Sequence, residues 1–552
     1  MRTTRCGQVL LMGLLFLFSC IVSVRANVYA TDIQLNGSLN AGVIVPGSSL
    51  TVSNLTVSYI LNDNATGGVS ARIYSGTNVV KTFSAEGGIP GTNAGLNSFL
   101  WDGTNDNGSN ALPGVYTLSI TAAADGYDTW TNITDDSTNF DVFQPSSIAV
   151  NRNTNSPYYG RVFIGDSSFS GTPGILKCNA DGSPGDEGGF STGGYSWGGG
   201  YYNPSPWKMG VSADDRLYVE DWSGYGVVMS FDQVLSPNYL SVLRPDNYPY
   251  PGIYLSGPCV LGAGANTQIW MADIDQGGLG ILRWNVNPDG TLAPYDTGTV
   301  IVSAGSGCAL TYAPFDVAVD TNGGIYAIQR VNVYGSPLNQ NTDASTMRVL
   351  SFPPFLNGSL PETNALWQVG SGDPTLENAY GVAVDPTATF VAVACLGRGP
   401  DPTVLTNGGI SIFYATNGSL VTNINTGLDG NTNQQMTDVA WDNVGNLYAV
   451  ERTEGIWRVY SPPGTNQATT VSVPIIQALD VLLPPTLTNP CCVAGQWGFT
   501  LLGQSNVTYV IQQSLDLVNW IPVATNYSPN PNRSITVPFA DNQDFYRAVV
   551  NQ

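Results

Sequence analysis

Between about residue 145 and residue 480 one pattern recurs six times: a short apolar run, a turn, an L-Y-V-like run, then an I-x-R-F-like run. One copy reads Phe315-Asp316-Val317-Ala318-Val319-Asp320, Gly324-Ile325-Tyr326-Ala327-Ile328 and Met347-Arg348-Val349-Leu350-Ser351-Phe352. Another reads Asp438-Val439-Ala440-Trp441-Asp442, Gly445-Asn446-Leu447-Tyr448-Ala449-Val450 and Ile456-Trp457-Arg458-Val459-Tyr460. Anchored at one equivalent residue, the copies fall at Val150, Val211, Ala263, Val319, Val384 and Trp441, in steps of 61, 52, 56, 65 and 57 residues. Several short strands per near-regular unit predict a β-propeller, because a lone unit cannot bury its faces and must stack on its neighbours. The expected fold is all-β: a six-bladed β-propeller flanked by two small β-sandwich domains. Such a repeat says where a site should lie, and leaves its chemistry open.

The first 26 residues read as a targeting segment. Arg2 and Arg5 precede an apolar run, Val9 to Val24, and Val24-Arg25-Ala26 offers a small-residue cleavage site. No later run reaches the length of a membrane span, so the expected location is secreted, cell-surface or periplasmic. Removing residues 1–26 takes away three arginines, leaving 16 basic and 41 acidic residues and a net charge of −25. A chain this acidic is not expected to bind nucleic acid. The abundant Asp, Gly and Pro and the N-G and D-G pairs (Asn322-Gly323, Asn417-Gly418, Asp289-Gly290, Asp429-Gly430) fit many hairpins. Six cysteines follow the leader: Cys178, Cys259, Cys308, Cys395, Cys491 and Cys492. Their spacing shows no zinc pattern. Histidine is absent. That excludes Ser-His-Asp and Cys-His nucleophile pairs; with only three lysines, Lys81, Lys177 and Lys208, any catalysis would need carboxylates, Tyr, Arg or a metal bound by oxygen ligands.

Three parts follow the leader. Residues 27–144 show strand alternation, and Trp101-Asp102-Gly103-Thr104-Asn105-Asp106-Asn107-Gly108 followed by Pro113-Gly114-Val115-Tyr116 resembles the Ig-like domain of FlgD-type hook-capping proteins. That resemblance implies a spacer or adhesion module. Asp102, Thr104 and Asp106 read as turn formers rather than a calcium loop, since Asn107 and Pro113 stand where an EF-hand needs Gly and Glu. Residues 145–482 carry the repeats. Pro314 to Asp320 with Gly324-Ile325-Tyr326 resembles the NHL repeat family and its lactonase-like relatives. In residues 483–552, Tyr509 to Trp520 and Asp544-Phe545-Tyr546-Arg547-Ala548 resemble a C-terminal β-sandwich of exported proteins of Verrucomicrobia-type bacteria, which implies attachment or export. Tyr509, Trp520 and Tyr546 are its expected core, and Pro484-Pro485 its linker.

Each unit begins with strand A nearest the axis, so the end of strand B and the start of strand A share one face with the long loops. Ten residues after the anchors, with a longer first turn, stand Asp166, Asp221, Asp273, Gln329, Ala394 and Glu451. Three residues before the anchors stand Asp316, Asp438 and Lys208. Together they predict an acidic face, although each Asp also suits a structural turn role. Trp197 and Tyr201 in a glycine-rich connection, with Trp207 after it, either form a stacking platform for sugar rings or fold inward.

The lactonase-like propellers hold a divalent metal through Glu, Asn and Asp near the axis. The corresponding strand starts here, Phe315-Asp316-Val317-Ala318 and Tyr380-Gly381-Val382-Ala383, lack the Asn, so none of those metal ligands carries over. The resulting expectation is a non-catalytic protein that binds a glycan or an extracellular protein at the acidic face, with no cofactor beyond Ca²⁺. The alternatives are a carboxylate- or Ca²⁺-dependent hydrolase or lactonase-like enzyme on that face, and a structural envelope protein.

Overall fold

A computed structural model describes residues 28–550, except 38, 40–54, 110–113, 168–173, 186–189, 192–196, 198–204, 223–226, 237, 250–253, 276–277, 331–346, 371–375, 377, 398–407, 425–434, 465–466, 480–484, 494–495, 504–506, 529–531 and 539–543. The leader, Tyr201, most of the glycine-rich connection and much of the long B–C loops lie outside the described residues.

Six four-stranded antiparallel sheets form the propeller. Their innermost A strands are Pro145–Val150, Met209–Val211, Leu255–Leu261, Pro314–Val319, Ala379–Val384 and Met436–Trp441. The B strands that follow are Val162–Asp166, Leu217–Asp221, Gln268–Asp273, Ile325–Gln329, Phe390–Cys395 and Leu447–Glu451. Five of the six anchors are the last residue of strand A. The third is Leu261 rather than Ala263, because Leu261 faces Gln268 as Val319 faces Ile325. The V-A-V-D signature has a local cause. The Asp320 side chain accepts N–H bonds from Asn322 and Gly324, and Asp442 accepts them from Val444, Gly445 and Asn446. Each carboxylate thereby closes an A–B turn.

Both faces of a blade are apolar, so each packs on the next. Ala149, Phe163 and Ile175 of the first blade meet Leu217, Val219 and Met229 of the second in one core. The ring closes where Ile148 and Ile164 meet Tyr448, Val450 and Trp457. Each large apolar side chain buried this way contributes roughly 1.5–3 kcal/mol, which a single sheet exposed on both faces would forfeit.

Closure departs from the sequence boundary at residue 144. The fourth strand of the sixth blade is Thr131–Asn132, which precedes the first blade and pairs with Tyr460 and Ser461. Residues 133–142 continue along that blade through Ile133 N–H to Val459 O, Val142 N–H to Gly455 O, and an ion pair between Asp136 and Arg458 at 2.8 Å.

The N-terminal strands are β1 (Ala30–Leu35), β2 (Leu55–Leu61), β3 (Gly68–Ser75), β4 (Asn78–Ala85), β5 (Gly95–Trp101) and β6 (Gly114–Ala124). One sheet is ordered β1-β2-β5. The other sets β6, β3 and β4 beside Gln467–Leu479, a strand that follows the propeller. The two sheets share a core that includes Val57, Tyr59, Ile73, Leu118 and Val471. The propeller is thus inserted between two paired strands, so this unit does not end at residue 144 nor the propeller at 482. Its base touches the propeller: the Tyr29 and Tyr448 hydroxyls lie 3.1 Å apart, and Thr31 donates to Tyr159 O. In the W-D-G turn, Trp101 Nε1 donates to Thr104 O, Asp102 accepts from Thr104 N–H, and Asp106 accepts from Thr82 N–H. These bonds close the turn on itself and against β4, where the chain crosses from β5 in one sheet to β6 in the other.

The C-terminal residues form two three-stranded sheets around Tyr509, Ile511, Leu501, Ile535 and Val537, with Tyr546 packed against them. Trp520 differs from expectation: it lies at the surface with Arg547 4.1 Å over its ring. Cys491 and Cys492 are exposed and unbridged. Among the described residues no helix is long and apolar enough to cross a membrane.

Candidate functional site

The A strands line an axial channel, about 730 Å³ counting its open mouth. Its wall is mostly valine and alanine, with Arg152 at the A–B turn end and the half-buried Cys259 partway along. The pairing of five A strands slips near their starts, between Pro145 and Ser147, Ser256 and Cys259, Pro314 and Asp316, Ala379 and Gly381, and Met436 and Asp438. A bulge re-aims the residue beside it. At this level lie Asp316, Asp438 and Lys208, where the channel ends.

Lys208 Nζ is 2.7 Å from Asp438 Oδ1 and 3.7 Å from Asp316 Oδ2, and donates to Thr437 O at 3.0 Å. All three side chains are buried. Their carboxylates also staple the ring. Asp438 accepts the Ile148 N–H of the next blade at 3.1 Å, and Asp316 accepts the Val382 N–H of the next blade at 3.0 Å. Glu220 repeats the staple from the second blade to the third, accepting the Gly257 N–H at 3.1 Å. Carboxyls from alternate blades thus each hold the following blade. In the second blade Lys208 occupies the strand-A position, and the carboxyl comes from strand B.

Glycines make the space. A Cβ on Gly257 (φ +73°) would lie 1.9 Å from Asp316 Oδ1, and one on Gly381 would lie 2.7 Å from Asp438 Oδ1. No side chain larger than hydrogen fits at either place without displacing a carboxylate.

Burial shapes the titration of the cluster. It pushes Asp316 up to about 6, with Lys208 opposing and Asp438 adding to the rise. Burial also raises Asp438, with the Lys208 ammonium opposing. Burial alone would lower Lys208, but Asp438 and Asp316 outweigh it and hold the ammonium above its usual range. Burial drives Glu220 well above the ordinary carboxylate range.

The other candidate residues sit elsewhere. Asp166, Asp221, Asp273 and Glu451 end their B strands, with Gln329 and Cys395 at the matching places; Cys395, rather than Ala394, pairs with the first residue of strand A. All are buried. Asp221 accepts from the Ser205 hydroxyl, Asp273 from the N–H groups of Asp275 and Leu279, and Glu451 from those of Gln435 and Thr453. They tie loops together, the structural role open to them from the start, and do not form an open acidic face among the described residues. Of the two alternatives for the aromatics, Trp197 and Trp207 take the inward one. Trp197 packs on Phe231 with ring centres 6.0 Å apart, and Trp207 is enclosed by Trp222 and Tyr380. Buried rings offer no stacking surface to a sugar.

Sequence reasoning missed Glu220. The ten-residue register selected its neighbour Asp221 instead. The available signal was its place one residue inside a B strand buried on both faces, where an acid needs a reason.

Among the described residues no three or more Cys, Asp or Glu side chains converge as a metal site. No family model matches the chain, and no curated relative does. It is similar to solved propellers of low identity. One is a Trichoderma reesei carbohydrate-active enzyme of family AA12 (14% identity, 61% of this chain and 97% of that one, TM-score 0.37). Others are a glucose dehydrogenase (11%, 61% and 100%, 0.36) and the soluble aldose sugar dehydrogenase of Escherichia coli (11%, 63% and 99%, 0.33).

These neighbours correct the expectations of a non-catalytic binder and of no cofactor beyond Ca²⁺. They are enzymes, and a dehydrogenase requires an electron acceptor. The lean away from catalysis rested on the missing histidine, and a buried Lys–carboxylate cluster supplies ionisable groups without one. Besides Asp316 and Asp438, the channel wall offers Arg152, Cys259 and Lys208, a set too sparse to define a cofactor cradle among the described residues.

Proposed function

We propose that the chain is an exported enzyme that acts on a small hydroxylated ring compound, a sugar or sugar lactone, by carboxylate acid–base chemistry at the end of the axial channel. The observation that carries the reading is the pair of unequal carboxyls around Lys208. Asp438 lies 2.7 Å from the Lys208 ammonium, which opposes the rise that burial imposes on it, while Asp316, at 3.7 Å and pushed up to about 6, exchanges a proton near neutrality. Two acids kept apart in proton affinity can serve one as proton donor and one as charge stabiliser. The valine-lined wall limits water around them, which strengthens both effects. Substrate would reach them from the A–B turn side, past Arg152.

Within this reading the leader directs export, the propeller is NHL-type with a lactonase-like ancestry, and the flanking units are FlgD-type and Verrucomicrobia-type β-sandwiches that hold it at the cell surface. The W-D-G turn and the Tyr509 core support those assignments.

The test is a panel of lactones, glycosides and aldoses, the last with an artificial electron acceptor. Turnover of one class is expected. With Asp316 as proton donor the rate falls as pH rises through about 6, and Asp316→Asn removes about 10²–10⁴-fold of it while the protein stays folded. No turnover of any class, or an Asp316→Asn variant as active as the parent, overturns the proposal.

A further inference from the structure

Glu220 is wholly buried, and its two oxygens are unequally served. Oε2 accepts the Gly257 N–H at 3.1 Å. Oε1 has no hydrogen-bond partner among the described residues. The nearby cation, Lys208, is already engaged by Asp438 and Asp316. Of the other charged groups that reach Glu220, Asp316 and Asp221 both disfavour a further negative charge. An ionised carboxylate in such a place costs several kcal/mol, whereas a protonated carboxyl is neutral and gains a donor. Glu220 also meets Asp316 across a single residue. Its Oε2 binds the Gly257 amide, while Asp316 Oδ1 occupies the space where a Gly257 Cβ would stand.

We infer that Glu220 holds a proton at neutral pH and is a positioning residue behind Asp316: its carboxyl fixes the Gly257 amide, and Gly257 bounds the space that Asp316 Oδ1 occupies. This rests on the proposed acid–base role of Asp316. A carboxyl that stays neutral also spares Asp316 a second adjacent negative charge beside Asp438.

Glu220→Gln keeps the shape and the amide contact and removes the exchangeable proton. Two measurements separate this inference from the proposed function. The first needs no substrate: difference infrared spectroscopy at neutral pH is expected to show a protonated-carboxyl C=O band in the parent that the Gln variant lacks. Urea unfolding is expected to show the parent losing stability relative to the variant by about tenfold in the unfolding constant per pH unit above the unfolded Glu value, until Glu220 ionises. A missing band or identical pH slopes overturn the neutral state, whatever the enzyme does. The second uses the reactive substrate: Glu220→Leu, which loses the Gly257 contact, is expected to lower kcat about tenfold or more and shift its pH profile with KM unchanged, whereas Glu220→Gln, which keeps the contact and the neutral charge, is expected to retain the parent profile. A Glu220→Leu profile that matches the parent, or a Glu220→Gln variant as impaired as Glu220→Leu, overturns the positioning role. If no substrate is turned over, the proposed function fails while the infrared result stands.

Discussion

Replacing Lys208 with Met would leave two buried carboxylates facing one space without their shared cation. In the parent, Nζ sits 2.7 Å from Asp438 and 3.7 Å from Asp316, with side-chain exposures of only 3–8%. Without it, two unit charges at most about 6 Å apart, the limit set by those two distances, repel by about 3 kcal/mol or more at an effective dielectric of about 20. Breaking a buried ion pair by removing one partner costs about 3–5 kcal/mol in all. The loss should depend on pH. Both aspartates titrate above their usual range even with Lys208 present, and removing the ammonium raises them further. A carboxyl whose folded pKa is raised contributes stability fully present below its unfolded value and lost as pH rises through the folded one. Urea unfolding of the parent and Lys208→Met, followed by tryptophan fluorescence, should therefore show a deficit of about 3–5 kcal/mol at pH 8 that narrows markedly at pH 4. Adding Asp316→Asn and Asp438→Asn to Lys208→Met should recover most of the loss at pH 8, since an all-neutral cluster has no repulsion to relieve. A deficit that is the same at both pH values, or one below about 1 kcal/mol, the level of an exposed pair, would refute the reasoning that the cluster is a desolvated charge network.

Asp442 tests the same logic at the domain junction: burial pushes it from 3.8 to about 6, against the N–H bonds it accepts in its turn, beside Tyr448, Tyr29 and Tyr159. Its contribution is fully present below 3.8 and is lost by about pH 6, a change of about 3 kcal/mol at about 1.4 kcal/mol per pH unit, so Asp442→Asn should flatten the stability–pH curve over that window in urea titrations. A chain ending at residue 464 should have an N-terminal unit trimmed rapidly in limited proteolysis, because β6 loses its partner strand Gln467–Leu479, whereas a chain ending at residue 484 should resist like the full chain.

The repeat was legible because each blade is built from local pairings. Strand A meets strand B across a short turn, and V-A-V-D followed by a G-I-Y-like run encodes that turn through Asp320, Asp385 and Asp442. Asp316, Asp438 and Lys208 were also legible, since one register three residues before the anchors selects them together. Two classes of feature were not. Thr131–Asn132 completes the sixth blade, and Gln467–Leu479 completes the sheet of β6. Such partners are separated by the whole propeller, and nothing in a strand's own residues names a distant edge. The sign of burial was hidden too. Asp221, Asp273 and Glu451 were correctly placed in register, but only packing decides whether a carboxylate meets solvent or its neighbours' N–H groups.

The amino-acid order alone therefore determined six units, all-β, acidic, without histidine, with charged residues at one level of the inner strands. It could do so because periodicity and turn chemistry act within a few residues of each position. Tertiary structure decided that those charges close around one lysine, that Glu220 joins them without a cation of its own, and that Gly257 and Gly381 make the room. Those outcomes depend on six inner strands meeting at one axis, a distance relation that no single repeat contains.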